Sequence, residues 1–336
     1  MPNKITLTYS AVSAFQGCKR AYKYRYIDHL SPKYRDDALG FGTVIHSCLE
    51  RWHGGEELGT ILSFIDREFH DRHERDSRFN QWQMARSMMT SYNSKYLHEE
   101  FIPVALEEKF SGPIVDPDSG LEIPTCDFAG KVDGIVKNRG GIYLLEHKTA
   151  SQVTGGYIES LWADMQISLY TAYMERKLNT PLDGVVYNVL EKAKIHRGKG
   201  ESDLAFSERK AELIAKSKTG KTTAKQKQSE TISEFAERMD EKYSGGNMLH
   251  REELVLSRRQ ITDALRDLFM VAIDVYCSTA VSKFPKSTGN CFKYGKPCPY
   301  WQLCKHGENS ILIDTEYDVV KPHVELETEA AEVDIF

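Results

Sequence analysis

The sequence predicts an α/β fold, a small mixed sheet flanked by helices, and three observations along its 336 residues predict it. Up to about residue 100 the apolar residues recur at helical spacing. From Ile102 the period shortens to two, and beyond about residue 155 helical stretches return around one further strand. A chain of that kind buries one face of each helix against a sheet.

The elements follow in order. Thr8 or Ser10 caps a helix running to about residue 28, with Tyr9, Phe15, Tyr22 and Tyr26 at helical spacings. A second helix runs from near Gly42 to the Gly54-Gly55 pair, and residues 57–76 and 80–100 read as two more, polar on one face. Segments 102–115, 127–137 and 142–148 read as strands, with Asn138-Arg139-Gly140-Gly141 as a hairpin turn between the last two. A helix from about 158 to 178 leads to a strand at 185–190. Residues 230–243 and 258–279 are helical, and 284–308, rich in Gly, Pro and Cys, is irregular and held by ligands. The organisation expected is a helical part (1–100), a core (101–191), a basic insertion or mobile loop (192–228), helices with a cysteine-bearing segment (229–310) and a disordered acidic tail (311–336).

Composition narrows the class. Hydrophobic residues make up 40% and charged residues 28%, ordinary for a soluble globular chain. No run of eighteen apolar residues exists, so no membrane helix is expected. The N-terminus lacks a basic head before an apolar stretch, so no secretory signal is expected either. A cytoplasmic protein follows, where disulfides are rare and seven cysteines call for a metal or for burial. The net charge of −5 is unevenly spread: residues 311–336 carry eight acids against one base, leaving +2 for the rest of the chain. Residues 192–228 carry eleven bases against four acids, a local +7. Local patches matter more than totals for a polyanion, so the acidic total does not exclude nucleic acid. Thr219-Gly220-Lys221-Thr222 imitates a phosphate loop, but Ala215 stands where such a loop needs glycine and no buried strand precedes it.

The informative stretch is Gly130-Lys131-Val132-Asp133-Gly134-Ile135-Val136 and, after the turn, Ile142-Tyr143-Leu144-Leu145-Glu146-His147-Lys148-Thr149. Residues two apart on a strand share a face, so Glu146 and Lys148 point the same way. If Lys137 pairs with Ile142, the same register sets Asp133 opposite Glu146. Two facing carboxylates among apolar neighbours repel and are costly to bury. A magnesium or manganese ion between them removes that penalty, and the His147 carbonyl could supply a further oxygen. For an isolated Asp with Glu-x-Lys an ordinary exposed hairpin would be the better reading. Company changes the balance: Gln166 and Tyr170 share one face of the next helix, and His46, four after Gly42, offers an imidazole to complete a metal shell. Glu107 or Glu108 on the preceding strand could add an acidic contact.

In order and separation, Gly42-x-x-x-His46, Gly130-x-x-Asp133, Glu146-x-Lys148 and Gln166-x-x-x-Tyr170 resemble the RecB-like branch of the PD-(D/E)XK nucleases, which includes CRISPR-associated four-cysteine nucleases and phage exonucleases. The opening Tyr9-Ser10-Ala11-Val12-Ser13-Ala14-Phe15-Gln16-Gly17-Cys18-Lys19-Arg20-Ala21-Tyr22-Lys23-Tyr24 is similar to that family's N-terminal signature, and the likeness spans about residues 5–308. The resemblance implies a restriction-endonuclease-like fold. It implies that His46, Asp133 and Glu146 bind the metals, that Lys148 positions or polarises the attacking water, and that Gln166 and Tyr170 hold the lysine and the phosphate. The activity expected is hydrolysis of DNA, exonucleolytic and on single-stranded ends, in a bacterial, archaeal or phage-infected cell. The alternative is a catalytically silent DNA-binding or assembly subunit, against which the intact Asp133, Glu146 and Lys148 argue.

Cys291-x6-Cys298-x5-Cys304 clusters near the C-terminus. Four thiolates suit zinc or a [4Fe–4S] cluster, and the paired Cys-x-x-Cys knuckles usual for zinc are missing. The resemblance supplies Cys18 as fourth ligand and favours iron–sulfur, although six residues separate Cys291 from Cys298 where the family often has two. Such a centre would staple the helical N-terminal part to the C-terminal segment. Cys48, Cys126 and Cys277, in apolar surroundings, are expected in the core. Lys216, Lys218, Lys221, Lys225 and Lys227 are candidate phosphate contacts. The ending Glu332-Val333-Asp334-Ile335-Phe336, two apolar residues behind a run of acids, is a candidate docking tip for a protein partner.

Overall fold

The computed structural model describes residues 4–33, 37–73, 77–99, 101–293, 295–323 and 326. The order is β1 (Ile5–Leu7), α1 (Tyr9–Gly17), α2 (Lys19–Tyr22), a π turn (Lys23–Ile27), β2 (Leu30–Pro32), α3 (Asp37–His53), α4 (Leu58–Glu68) and α5 (Ser77–Tyr96). Then come β3 (Ile102–Val115), β4 (Glu122–Asn138), β5 (Gly141–Ala150), α6 (Gly155–Leu161), α7 (Met165–Leu178), β6 (Gly184–Glu191), α8 (Asp203–Lys216), α9 (Ile232–Tyr243) and β7 (Leu249–Leu254). The chain ends through α10 (Arg258–Ala280), β8 (Phe292–Lys293), β9 (Lys296–Pro297), α11 (Trp301–His306), α12 (Ser310–Glu316) and β10 (Tyr317–Val319).

One six-stranded mixed sheet organises these elements. β4 is its longest strand, with antiparallel β3 along one edge; the other edge is shared by parallel β1 and antiparallel β5. β5 pairs parallel to β6, and β6 antiparallel to β7. The β4–β5 turn is set by Arg139 at φ 48° and Gly140 at φ 84°, two left-handed residues in a row that match the twist of the flanking strands. Lys137 pairs with Ile142 as expected. β6, buried along almost its whole length, is covered on both faces, which explains its apolar run Gly-Val-Val-Tyr. Helices α1, α7 and α10 close one face around Phe15, Phe128, Ile167 and Leu268. Helices α3, α4, α5 and α9 close the other around Ile45, Met88, Tyr92 and Phe235. Among the described residues no helix is long and apolar enough to cross a membrane.

Five expectations change. The first helix does not run to residue 28: Thr8 caps it, but Cys18 takes an extended backbone (φ −162°, ψ 111°) and splits α1 from α2. The helix expected at 158–178 is two, because Asp164 accepts from the Gln166 N–H and starts α7 afresh. Residues 192–228 hold the helix α8, none of whose side chains is buried, and the segment is tied down by Arg209 on Glu201 and by Glu201 on the Lys227 N–H. Finally, the tail is ordered through residue 323. α12 follows α11, β10 pairs with β2, and the buried Tyr317 stacks on Tyr300 at 5.8 Å. Tyr317 joins Tyr24, Leu30, Tyr300 and Leu303 in one buried cluster, with Leu312 and Ile313 of α12 packed against it. The proposed docking tip at 332–336 lies outside the described residues. Cys277 is exposed rather than buried, since it falls off the stripe (Ile261, Ala264, Leu265, Leu268, Ala272, Val275) by which α10 faces the sheet; Cys48 and Cys126 are buried as expected.

Candidate active site

β4 and β5 pair from the turn only as far as Gly134–Leu145. One residue further, where Asp133 would face Glu146, the ladder stops, and the Asp133 side chain takes the next amide: Oδ2 accepts from the His147 N–H at 2.6 Å. The expected opposition is therefore present, but it is made by a side chain rather than by a strand pair. From there Glu146 pairs with Tyr187 on β6.

Around this parting of strands the other candidates gather. Lys148 Nζ donates to Glu146 Oε1 at 2.6 Å and to Gln166 Oε1 at 3.0 Å. His46 Nδ1, on α3, lies 3.2 Å from Asp133 Oδ1. Tyr170 packs edge-on against Phe110 with ring centroids 5.0 Å apart. This packing explains the glycine of Gly130-x-x-Asp133: a Cβ there would lie 2.5 Å from Phe110 Cζ and 3.0 Å from Tyr170 Cε1. Of the two acids on β3, Glu108 pairs with Lys177. Glu107, held at φ 52°, pairs with Lys131 beside the site, and burial raises its pKa despite that lysine.

The electrostatics set the two carboxylates apart. Burial alone would raise Asp133, but His46 and the His147 amide reverse this and hold it below the usual carboxylate range. Glu146, only 3% exposed, is pushed up by burial and then by the Asp133 charge, which Lys148 only partly offsets. Burial works against the charge on Lys148, yet Glu146 raises its pKa. His46 is likewise raised, the Asp133 contact outweighing desolvation.

Two supports were missed in the sequence. Asp164, besides capping α7, accepts from the Tyr187 O–H at 2.7 Å, so one carboxylate orients both the Gln166 turn and the strand beside Glu146. Its signal was available, an acid two residues before Gln166 at a helix start. The second support lies behind β5, where His147 points to the opposite face. Asn188 Nδ2 lies 3.0 Å from His147 Nδ1 and donates to the Tyr92 hydroxyl at 2.9 Å. Arg251 also donates to that hydroxyl at 3.0 Å, which leaves the Tyr92 O–H for His53 Nε2, 3.0 Å away. Burial, and then the Arg251 charge, lowers the His53 pKa to about 3, so the ring is the neutral acceptor this scheme requires. His53 stacks on His147 at 5.3 Å. Asn188 was the visible clue, a lone polar residue in an apolar strand, fully buried.

The four cysteines Cys18, Cys291, Cys298 and Cys304 are all free and line one cavity of about 20 Å³ with Tyr300 and Trp301. Cys18 Sγ accepts from the Ser287 N–H at 3.4 Å, and Asn290 Nδ2 donates to the Gly17 carbonyl at 2.6 Å, so both segments reach the cavity tied together. Burial raises the Cys298 and Cys304 thiols. Among the described residues, neither here nor at the carboxylates do three or more His, Cys, Asp or Glu side chains stand close enough to hold a metal ion as placed. At the carboxylates His46 turns to Asp133 and Lys148 to Glu146, so each acid already has a protein partner. Lys216, Lys218, Lys221, Lys225 and Lys227 are all exposed, and the structure does not bring them into the site's hydrogen-bond network.

The family model for the PD-(D/E)XK nuclease superfamily matches residues 6–305. No curated protein matches the chain. Among solved structures, a candidate exonuclease from Eubacterium rectale is similar at 10% identity and a TM-score of 0.47, over 93% of this chain and 94% of that one. The protein SSO0001 is similar at 9% identity and a TM-score of 0.30, over 81% and 78%. Neither likeness is strong enough to add to the argument. The mixed sheet with helices on both faces is the restriction-endonuclease-like arrangement of the matched family.

Proposed function

We propose that this chain, which belongs to the PD-(D/E)XK nuclease superfamily, is a cytoplasmic deoxyribonuclease that cuts phosphodiester bonds with a divalent cation, working inward from single-stranded ends. One observation carries the reading: Asp133, Glu146, Lys148, Gln166 and His46 converge where β4 parts from β5.

Nucleases of this superfamily generally use Mg²⁺ or Mn²⁺. The residues fit such an ion: two nearly buried carboxylates with their repulsion only partly offset, an imidazole beside one of them, and the His147 carbonyl on the intervening peptide. His46, Asp133, Glu146 and that carbonyl would hold the cation. When bound, it lowers the pKa of water and neutralises charge growing on the phosphate. Lys148, held by Glu146 and Gln166, donates to the oxygen on which negative charge develops. Tyr170, fixed by Phe110, keeps the Gln166 turn of α7 in place. Lys216, Lys218, Lys221, Lys225 and Lys227, all exposed, extend a phosphate track.

The thiols of Cys18, Cys291, Cys298 and Cys304 would hold an iron–sulfur cluster, the four-cysteine form within the superfamily. Four free cysteines around one small cavity support this over four unrelated core residues. Zinc is the other metal these thiols suit. Two measurements test the reading. End-labelled single strands with manganese should be shortened by the parent protein and left intact by Glu146→Ala; a parent that binds but never cuts would make the chain a silent subunit. Protein purified without oxygen should be brown, and colourless protein with stoichiometric zinc would refute the cluster.

A further inference from the structure

The chain between Cys291 and Cys298 turns back on itself. β8 and β9 form a two-stranded hairpin, reversed at Gly295 (φ 74°) and closed at its feet by the Cys298 N–H donating to the Cys291 carbonyl at 2.7 Å. Both feet are cavity cysteines, so the hairpin stands on the rim of that cavity. Every described residue from 292 to 297 is exposed. Phe292 is 54% exposed and meets Trp301 in a T-shaped contact at 4.9 Å and 66°.

An exposed aromatic ring beside cations is the pairing on which single-stranded nucleic acid stacks its bases and neutralises its phosphates. Residues 281–309 carry Lys283, Lys286, Lys293, Lys296 and Lys305 against one acid, Glu308, a local +4. Position agrees. α1, whose Ala11, Val12 and Phe15 share a buried core with Tyr170 of α7, ends beside Cys18.

We infer that the β8–β9 hairpin is a docking surface for single-stranded nucleic acid, with Phe292 stacked on a base and Lys293 and Lys296 on phosphates. An open ring takes an unpaired base and cannot take one inside a closed duplex. The inference rests on the nuclease reading for its substrate class, but it is tested separately, by binding without cleavage.

Fluorescence anisotropy of the full chain with a labelled single strand of about twelve nucleotides, in EDTA, reads binding alone. Phe292→Ala should weaken it about tenfold, and Phe292→Tyr should restore it. Lys293→Ala with Lys296→Ala should flatten the salt dependence of log K by about 1.4. Unchanged affinity in Phe292→Ala, an unchanged slope in the double variant, or an equal loss on a closed duplex would each overturn the inference. A parent that binds in this way but does not cut with manganese would refute the nuclease reading alone.

Discussion

The carboxylate centre and the cysteine cavity are assembled by different means. Asp133, Glu146, Lys148 and Gln166 come from one stretch of chain, aligned by a two-residue turn and the ladder behind it. The cavity joins Cys18 to residues 291–304, across almost the whole sequence. A strand register cannot slip by one residue without turning Glu146 to the wrong face, so the first site is specified locally. The second has no such register, and everything between its two halves must fold before the thiols meet. Substitutions should therefore separate chemistry from stability: the first site loses rate, the second loses the fold.

The largest effect tests that division directly. Glu146→Ala and Lys148→Ala should each lower the cleavage rate by about a thousandfold or more while leaving the melting temperature near that of the parent. A Glu146→Ala protein that cuts normally would remove this centre from the chemistry. Cys18→Ser should do the reverse, destabilising the protein by on the order of 4 kcal/mol if a metal centre is lost, and at least as much as Cys304→Ser. Equal melting curves for Cys18→Ser and the parent would show that the cavity staples nothing.

A smaller effect sharpens the comparison within the first site. Asn188→Ala removes the partner of the His147 ring, and so loosens the residue whose N–H donates to Asp133 and whose carbonyl would help hold the cation. Manganese titrations of activity should then shift by about ten- to a hundredfold, with KM for DNA unchanged. A changed KM with an unmoved metal midpoint would mean that Asn188 only maintains packing. The smallest effect belongs to the outlying basic segment. Replacing Lys216, Lys218, Lys221, Lys225 and Lys227 by Ala should flatten the salt slope of single-strand binding by up to about 3.5, with the rate at saturating substrate unaltered. No change of slope would mark the segment as solvated surface.

What could be read in the sequence follows the same division. β3, β4 and β5 announced themselves because each is long enough for its alternation to show, and Asn138-Arg139-Gly140-Gly141 fixed their pairing. The register is right as far as Gly134 with Leu145, but the expected pair of Asp133 with Glu146 does not form, since nothing local signals that an amide will choose a side chain. β1, β2 and β10, three residues each, are too short to carry a period. The break at Cys18 was hidden because helical spacing continues across it, and Tyr22 and Tyr26 serve the next turn equally well. Asn188 depends on Tyr92, ninety-six positions away, and no pattern along β6 could reveal that partner.

The helix α8 has a practical consequence. A helix that buries none of its side chains carries little of the folding free energy, and its ends are already clasped by Glu201 and Lys227. Such a segment is a natural point of graft. A fluorescent domain inserted within residues 203–216, or a short Gly-Ser bridge in their place, should leave expression and melting behaviour close to those of the parent.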